Sequence, residues 1–597
     1  MTERTAHELK GNLSTKFPQK VIYFDAESYL HEHGNIITHE PYLIIGCYVN
    51  YNRHKEEWYT AQTTLAFWSW VLTKVNSKER LICFAHNITY DFIATAGFIH
   101  LFNAGYEITS MYENGRTFIL SFRQGGKKII FLNTGNYYQG TVAALGKAFG
   151  FPKLEMDFEN PTLSQAIPYC KRDVEIIKVA MEKWFIFCKE NDLGTFAKTC
   201  PSQAFNAYRH RFMEYPIFIH DNFKAIELER LCYYGGRVEC GFIGERNERI
   251  YDLDVNSMYP FVMLEYTFPT KLVTFRVNVT IPELKKLLKK YLVCAKVRVK
   301  TRIPFYPYRI ADKLIFPIGE FTTYLSTPEL ENAITNNHLI EIYQLAVYEH
   351  KPIFKSYVNF FYTERLKAKE AGNEANDLLY KLMMNSLYGK FGQKAGGWIM
   401  SNTDREGVGY ETVYNADTDQ LEPIKWIYGK EWRRCEEGEG YNSFVAVAAH
   451  VTAYARVCLY GYANIAGRKN VYYMDTDSLF VNEIGYQNLL TNNLFNNKTL
   501  GKLKLECTVE NLKIHCPKDY QLGEQKKCKG VPGNAKQIGE NTWEVLIWGK
   551  VSTFIRAGNL GEYFNIKRQK TLQRTYNKGI VTESGIVEPF NITEGVS

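Results

Sequence analysis

The segment YMDTDSLF (473–480) places two aspartates, Asp475 and Asp477, one residue apart inside a run of apolar and aromatic residues. Carboxylates seldom lie in such a run unless a partner satisfies their charge. One interpretation is a hairpin in which the Asp and Thr side chains cap their own backbone. The other is a strand turn that presents its carboxylates to a cation. Any fold of this chain has to accommodate the pair, and the motifs elsewhere favour the second interpretation.

Length and composition indicate a folded protein of several domains. The chain has 597 residues, of which 45% are hydrophobic and 23% charged, as is typical of soluble globular proteins. Its 13 cysteines form no CxxC pair, which argues against a zinc site or a disulfide framework and favours a reducing compartment. We find no secretory signal and no apolar run long enough for a membrane span. We therefore expect a cytoplasmic protein that is not secreted and has no membrane partner.

The hydrophobic pattern changes along the chain. Residues 20–150 alternate short β-rich runs with helical stretches, which predicts an α/β domain, and a mainly helical segment follows. A second β-rich unit begins near 233–243. Residues 355–391 are predicted to form two helices joined at AGNEAN (371–376), and residues 396–440 a loop or a small β element. Residues 443–462 are predicted to be a helix that leads into YMDTDSLF.

A second acidic motif, RIYDLDVNSMYP (249–260), is predicted to be a strand that ends with Asp254, followed by a turn and a helix before Pro260. Beside the aspartates of the first motif, Asp254 supplies a further oxygen ligand for a hard cation. Transfer of a nucleotide requires such carboxylates, because two Mg²⁺ ions stabilise the attacking and leaving oxygens. Read alone, either motif is an ordinary strand with an exposed aspartate.

Basic side chains occur on the two predicted helices between these motifs. In KLMMNSLYGKFG (381–392), Lys381, Asn385 and Tyr388 are spaced to share one face of a helix. Arg365 and Lys369 have the same four-residue spacing on the preceding helix. On a helical hairpin the three cations could point towards one triphosphate, although most such residues are simply solvated. No P-loop sequence competes as a phosphate site.

The first half of the chain contains a second set of carboxylates. Three separated segments carry it: VIYFDAES (21–28), HNITYDF (86–92) and YCKRDVEI (169–176). Four carboxylates with a tyrosine that orients water are what a two-metal phosphodiester hydrolase needs. Each segment alone is more often structural. The candidate residues are Asp25, Glu27, Asn87, Tyr90, Asp91, Tyr169 and Asp173.

In this order, DLDVNSMYP, KLMMNSLYG and YMDTDS resemble the three polymerase motifs of family B DNA polymerases. The resemblance implies that Asp254, Asp477 and the carbonyl of Val255 bind metal, with Asp475 as a supporting acid. It implies that Tyr259 lies under the sugar and excludes a 2′-hydroxyl. CPKDYQL (516–522) resembles the KxY motif, whose Lys518 and Tyr520 would hold the primer terminus. Nucleotide binding is expected at Arg365, Lys369, Lys381, Asn385 and Tyr388.

The segments in the first half resemble the three motifs of the proofreading 3′–5′ exonuclease domain. This implies that Asp25, Glu27, Asp91 and Asp173 bind metal and that Tyr169 is catalytic. Lys153 matches an accessory catalytic lysine, and Asn87 and Tyr90 would contact DNA. YYGGR (233–237) resembles the YxGG motif between the two halves, where Tyr233, Gly235 and Gly236 would contact the template strand.

The arrangement is most similar to the protein-primed subgroup of phages and linear plasmids. The first exonuclease motif begins at residue 21, so we expect no additional N-terminal domain. The implied fold is α/β and α+β: an RNase H-like exonuclease domain and a right-hand polymerase domain with two insertions. The expected boundaries are 1–195 exonuclease, 196–265 palm, 266–352 first insertion, 353–395 fingers, 396–440 second insertion, 441–530 palm and 531–597 thumb.

The resemblance implies a monomer that binds template and primer DNA, deoxynucleoside triphosphates and a terminal protein as primer. It implies two Mg²⁺ ions per active site, with Mn²⁺ as a substitute. Two alternatives remain open at this point. One is a family B polymerase that extends ordinary nucleic-acid primers. The other is a nucleic-acid-binding protein without catalytic activity, which the full set of carboxylates disfavours.

Overall fold

The computed structural model describes residues 4–157, 162–415 and 419–593. The remaining positions belong to the predicted exonuclease, second-insertion and thumb regions and lie outside the described residues. None of the described helices has the length and apolar character of a membrane span.

The N-terminal unit is built on a mixed sheet. The apolar segment LICFA forms a strand, Leu81–Ala85, that is buried along its whole length and pairs in parallel with Lys20–His33 and Lys127–Asn133. Strands covered on both faces are apolar throughout. Its other strands are Ile36–Asn50, Lys55–Ala61, Glu107–Asn114 and Thr117–Gln124, and its helices are Thr64–Thr73, Ile88–Ala94, Gly97–Asn103, Val142–Ala148 and Leu163–Glu190.

The second half contains a five-stranded sheet, here called the central sheet, that joins segments distant in sequence. In spatial order its strands are Val238–Cys240, Val471–Asp475, Ser478–Asn482, Ile250–Val255 and Leu503–Val509. Helices Met258–Glu265, Val445–Ala466 and Glu483–Thr491 accompany these strands. The helix after the strand of Asp254 begins at Met258, before Pro260 as predicted, and it continues through Pro260 to Glu265. A proline in the first turn costs no helical hydrogen bond.

Smaller elements connect the two units. The strand pair His7–Glu8 and Phe218–Ile219 ties the N-terminus to the middle of the chain. In the sequence, helix Cys200–Ala207 and the π-helical turn Tyr208–Phe212 precede Phe218–Ile219, and helix Phe223–Cys232 follows it. A five-stranded sheet follows the central strand of Asp254. Four of its strands pair antiparallel, in the spatial order Phe268–Val277, Leu339–Lys351, Leu292–Thr301 and Ile318–Ser326. Its accompanying elements are helices Ile281–Leu288 and Thr327–Thr335 and a hairpin of Tyr308–Ile310 and Lys313–Ile315.

The predicted pair of helices forms as a hairpin, Lys355–Glu370 and Glu374–Asn385, with the side chain of Asn373 capping the second helix. Residues 396–440 were predicted to form a loop or a small β element, and the structure has the β element. Four antiparallel strands form a sheet there: Lys394–Asn402, Val408–Asn415, Gln420–Ile427 and Lys430–Glu439.

The C-terminal region returns to the N-terminal unit. Strand Tyr563–Thr571 pairs with the outer part of Ile36–Asn50 and so extends the N-terminal sheet. Strands Lys536–Gly539 and Thr542–Trp548 continue that sheet, and helix Val551–Arg556 packs beside it. In a separate sheet, Gly244–Arg246 pairs with Leu512–Cys516, which is followed by Asp519–Leu522 and Gln525–Cys528. Ile580–Val581 pairs with Val587–Glu588, and Asn591–Thr593 pairs in parallel with Ile318–Ser326.

The largest apolar core runs from the N-terminal sheet through helix Leu163–Glu190 to the helical hairpin and the central sheet. A second core lies on the other face of the N-terminal sheet, where Trp432 of the four-stranded sheet and Phe554 of the C-terminal region are buried with it. Continuous cores of this kind fix the two carboxylate-bearing sheets relative to each other.

Candidate functional site

The first carboxylate cluster lies at the end of two neighbouring strands of the central sheet. Leu253 and Val255 are buried, whereas Asp254 is on the open face of the strand, as the period of two requires. The hairpin turn holds Thr476 at a φ of 64°. The backbone N–H of Val255 donates to the carbonyl of Asp477 at 2.7 Å. This bond locks the strand of Asp254 to the turn, and the two carboxylates share one edge.

The electrostatics of this edge favour a bound cation. Burial and the adjacent Asp477 raise the pKa of Asp254 to about 7. Burial and Asp475 also raise the pKa of Asp477. Carboxylates that are desolvated and close to one another are stabilised in their charged form when a positive ion lies between them. Carboxylate and carbonyl oxygens are hard donors of the type Mg²⁺ prefers, so the residues present fit a divalent metal.

Asp475 has protein partners of its own. Its carboxylate lies 3.3 Å from the Nζ atom of Lys518 and accepts a hydrogen bond from the Tyr473 hydroxyl at 3.2 Å. The same hydroxyl accepts from the backbone N–H of Lys518 at 3.0 Å. The two aspartates of the motif therefore have different surroundings: Asp475 ties the hairpin to the segment of Lys518, and Asp477 faces Asp254.

Four cationic side chains converge beside this cluster. Partial burial of the side chain, followed by the charge of Arg365, lowers the pKa of Lys369, and Lys504 and Lys381 lower it further against the opposing effect of Asp377. Lys381 and Lys369 are exposed, whereas Arg365 is buried and donates to Asp377 at 2.7 Å. Arg365 thus joins the two helices of the hairpin, and the expected triphosphate contact at Arg365 stays a prediction.

Lys504 is a residue that the sequence analysis missed. It pairs in register with Asp254 across the sheet, and its Nζ atom lies 2.8 Å from Glu506. Residues paired across neighbouring strands place their side chains on the same face, so Lys504 is on the face of the carboxylates. A single lysine in the strand LKLECTV gives no signal of this in the sequence.

The predicted face of Lys381, Asn385 and Tyr388 is not a continuous helix. The helix ends at Asn385, and Tyr388 begins a 3₁₀ turn, because the chain turns there to place Tyr388 against Tyr259. The two rings stack with centroids 4.6 Å apart. The exposed Lys381 and Asn385 still lie on one side of the hairpin.

The glycines of YYGGR have different surroundings. A Cβ atom on Gly236 would lie 2.9 Å from the side chain of Thr476, whereas Gly235 has open space around it. Gly236 is therefore required for close packing of this loop against the aspartate turn. The buried Arg456 donates to the carbonyl of Gly235 at 3.0 Å and pairs with Glu329 at 2.7 Å. The sequence analysis did not predict the roles of Arg456 and Glu329, because their contacts join segments that are distant in sequence.

The aromatic ring predicted to contact a primer terminus, Tyr520, packs near the first cluster. Its ring lies 5.2 Å from that of Tyr473 and 5.1 Å from that of Phe480. Tyr233 packs against Gly392, where a Cβ atom would lie 2.6 Å from its ring. The structure thus brings the segments of Tyr520 and Lys518 beside the hairpin of Asp475.

The second cluster brings together the three carboxylate segments of the N-terminal unit. Asp25 and Glu27 lie on one strand and face the same side. Asp91 comes from helix Ile88–Ala94, and its Oδ1 atom accepts from the backbone N–H of Ala26 at 3.2 Å. Asp173 lies on helix Leu163–Glu190. The predicted convergence of these segments is therefore seen in the geometry.

This cluster also fits a divalent metal. Burial raises the pKa of Asp25, and the charges of Asp91 and Asp173 raise it further. Burial, followed by Asp173, raises the pKa of Glu27 to about 7. The Oδ2 atom of Asp91 and the Oδ1 atom of Asp173 are buried without a hydrogen-bond partner. Such atoms carry a large desolvation cost, which coordination of a metal would offset.

The other predicted residues of the second cluster lie around it. Lys153 forms an ion pair with Asp173, and its Nζ atom lies 4.6 Å from the centroid of the Tyr169 ring. Asn87 is exposed at the start of a helix, and its backbone N–H donates to Asn133 at 3.0 Å. Tyr90 donates to the Ser28 hydroxyl at 2.8 Å.

Divalent ions are expected to stabilise the protein more strongly at pH 8 than at pH 6. The pKa values of Glu27 and Asp254 are about 7 in the fold and about 4.3 and 3.9 in an unfolded chain. Between these limits the folded state binds more protons than the unfolded state, so stability without metal falls as pH rises. Deprotonated carboxylates bind the ion, which reverses this loss.

The measurement is the thermal midpoint in EDTA and in Mg²⁺ at both pH values, at matched ionic strength. An equal effect of Mg²⁺ at pH 6 and pH 8 would contradict the proposed charge state of the clusters.

Comparison with known proteins finds similarity to DNA polymerases in sequence and in fold. Residues 155–425 match the family described as DNA polymerase type B, organellar and viral. The chain is 26% identical over 386 residues to a probable DNA polymerase of Neurospora intermedia, covering 60% of this chain and 37% of that protein. It is 27% identical over 311 residues to the DNA-directed DNA polymerase of Enterobacteria phage PRD1, covering 51% of each.

The chain spans less than half the length of several curated relatives, with 37%, 24% and 48% of the three fungal proteins covered. Its fold is similar to that of Phi29 DNA polymerase complexed with primer-template DNA, with a TM-score of 0.66 and 16% identity. That match covers 93% of this chain and 100% of the Phi29 chain. The predicted multidomain fold, with an exonuclease-type domain followed by palm, fingers and thumb, is thereby confirmed. Over residues 155–425 the chain is thus similar to the type B DNA polymerases of the organellar and viral kind, and its fold is that of a solved DNA polymerase.

Proposed function

We propose that the chain is a DNA-directed DNA polymerase that also removes nucleotides from 3′ ends. The observation that carries this proposal is the presence of two separate carboxylate clusters, of which the first faces a group of converging cations. Carboxylates beside cations suit a metal-bound triphosphate. Carboxylates beside a lysine and a tyrosine suit hydrolysis of a phosphodiester. DNA polymerases of this family use divalent ions, and we propose Mg²⁺ as the ion here, with Mn²⁺ as a substitute.

At the central sheet, Asp254, Asp477 and the carbonyl of Val255 would hold the metal. When bound, two such ions activate the attacking oxygen and neutralise charge on the leaving phosphate. Lys381, Lys369 and Arg365 would orient the triphosphate, and the stacked pair of Tyr259 and Tyr388 would lie under sugar and base. Lys518, with its amine held near Asp475, and Tyr520 would position the primer strand.

At the N-terminal unit, Asp25, Glu27, Asp91 and Asp173 would hold the metal for hydrolysis of the terminal phosphodiester. Tyr169 would orient the attacking water, and Lys153 would stabilise negative charge that develops on the phosphate. Asn87 and Tyr90 would contact the strand that enters. Tyr233, Gly235 and Gly236, on the loop that packs against the aspartate turn, would contact the template between the two sites.

We further propose that replication starts on a terminal protein. Two inserted segments, at about 266–352 and 396–440, are the feature of the protein-primed subgroup noted in the sequence. The fold is similar over the whole length of the Phi29 DNA polymerase chain, which supports this architecture. The alternative is that the enzyme extends only ordinary nucleic-acid primers.

The test uses Mg²⁺, four deoxynucleoside triphosphates and a primed template with a downstream blocking strand. Extension through the block, absent in Asp254→Ala, would support a strand-displacing polymerase. A labelled nucleotide that becomes attached to the hydroxyl of a candidate terminal protein would distinguish protein priming from its alternative. If the unmodified chain degraded the primer strand but did not extend it, synthesis on nucleic-acid primers would be contradicted.

Lys504→Ala is expected to raise the apparent KM for deoxynucleotides by about tenfold with little change in exonuclease activity. Its amine is on the face of Asp254 and near Lys369. A charge-assisted contact to phosphate contributes about 1.5–3 kcal/mol, and about 1.4 kcal/mol corresponds to a factor of ten. The measurement is single-nucleotide insertion as a function of nucleotide concentration.

Lys502→Ala is the matched control, because its amine donates to the carbonyl of Asn493 at 3.0 Å. The two variants remove equal charge from the same segment. Equal KM values for Lys504→Ala and Lys502→Ala would show that Lys504 does not contact the nucleotide.

A further inference from the structure

A thiol lies within the carboxylate cluster of the N-terminal unit. The Sγ atom of Cys170 is 3.7 Å from the Oδ2 atom of Asp25 and 3.5 Å from its backbone carbonyl oxygen. Ligand atoms of Asp25, Glu27 and Cys170 all lie within 4.8 Å of one another. Two donor atoms on one metal ion lie at most about 4.6 Å apart, because each metal–ligand bond is about 2.0–2.3 Å long, so the 3.7 Å between the Sγ atom of Cys170 and the Oδ2 atom of Asp25 fits a shared ion.

The surroundings of this thiol point to a ligand independently. Asp91 and Asp173 are 1% and 3% exposed, and each has one buried oxygen without a hydrogen-bond partner. Both carboxylates act electrostatically on Cys170 and on Asp25, so they face the same space. Among the described residues, Asp25, Glu27 and Cys170 form the group of His, Cys, Asp and Glu side chains whose ligand atoms have metal-ligand spacing.

The first cluster has no thiol in a comparable position. Cys507 pairs in register with Asp252, two residue pairs further from the turn than Asp254. Soft sulfur ligands favour Zn²⁺ and similar cations, whereas carboxylate and carbonyl oxygens favour Mg²⁺. The two clusters therefore differ in the softness of their donors.

We propose that Cys170 is an additional metal ligand that gives the N-terminal site affinity for soft divalent cations of the Zn²⁺ class. Such an ion displaces Mg²⁺ there and stops hydrolysis, while the all-oxygen site of the central sheet continues to use Mg²⁺. On coordination the thiol loses its proton to solvent and the sulfur donates an electron pair to the metal. The inference rests on the proposed exonuclease function of this site.

The first experiment measures metal binding directly, with Cd²⁺ as the probe. The full-length chain is titrated with Cd²⁺, and the sulfur-to-metal charge-transfer absorbance is recorded in the ultraviolet. We expect a tight phase in the unmodified chain that is missing in Cys170→Ser. Cys507→Ser, which removes the half-buried thiol beside Asp252, is the matched control and should retain that phase. An identical titration for the unmodified chain and Cys170→Ser would overturn the proposal.

The second experiment measures both activities in constant Mg²⁺ as Cd²⁺ is added. We expect the concentration that halves single-strand degradation to rise by at least about tenfold in Cys170→Ser. Primer extension by the same preparation reports folding, and Cys170→Ala serves if the serine variant is unstable. Equal sensitivity of degradation in both chains would contradict the role of Cys170. The absence of Mg²⁺-dependent degradation in the unmodified chain would instead contradict the exonuclease function. The absorbance titration distinguishes the two results, because it measures binding of Cd²⁺ at Cys170 independently of activity.

Discussion

Replacing Asp477 with alanine is expected to lower the rate of nucleotide addition by about 10³-fold or more, while degradation of single strands continues at the unmodified rate. Asp477 faces Asp254 on the edge of the central sheet, and its backbone carbonyl accepts the 2.7 Å bond from Val255. Alanine keeps that backbone bond and removes only the carboxylate. The loss therefore falls on metal binding and leaves the hairpin in place.

Stability provides a check on this interpretation. Burial and Asp475 raise the pKa of Asp477, so the metal-free carboxylate is under repulsion, and its removal should not weaken the fold. The measurement is single-turnover extension of a primed template, with thermal unfolding of the same variant in EDTA. Glu510→Gln is the matched control, because this carboxylate is exposed and paired with Arg249. Retained synthesis by Asp477→Ala would refute the assignment of the metal site.

The reciprocal result is expected for Asp25→Ala, with degradation reduced by about 10³-fold or more and synthesis preserved. Asp25 lies among the other carboxylates of the N-terminal cluster, and Asp91 and Asp173 both act on it. The side chains directly beside it on the strand point to the opposite face and cannot replace it, and Glu27, which shares its face, is already part of the cluster.

The assay is release of nucleotides from a 5′-labelled single strand, beside extension of a primed template. Glu40→Gln removes an exposed carboxylate from the adjacent strand, where it pairs with His31, and should change neither activity. Loss of synthesis in Asp25→Ala, at unchanged thermal stability, would contradict the claim that the two sites act separately.

The sequence predicted those parts of the sites that local patterns determine. A strand that ends in an aspartate, or a helix with Tyr169 and Asp173 four residues apart, fixes the direction of its side chains without help from the rest of the chain. The convergence of the segments then followed from their resemblance to a known family. The helical hairpin was predicted from a local pattern as well, because Gly372 and Asn373 interrupt a helical sequence.

Contacts between distant segments were beyond the sequence. Arg365 pairs with Asp377 across the hairpin, and Lys504 reaches the carboxylates only through strand pairing with Asp254. The sequence around Arg365 and Lys504 does not indicate whether these side chains contact a protein partner or solvent. Tyr388 left the predicted helix because tertiary packing against Tyr259 outweighs helical propensity there.

The strand Tyr563–Thr571 gives the chain an unusual order of assembly. Lys567 and Glu32, joined by an ion pair, are 535 residues apart in sequence. During synthesis on the ribosome the edge of Ile36–Asn50 therefore emerges several hundred residues before its partner strand. An unpaired edge is a site for aggregation, and contacts at such separation form slowly. Completion of the N-terminal sheet therefore waits until Tyr563–Thr571 has been synthesised, and a nascent chain has an open edge until then.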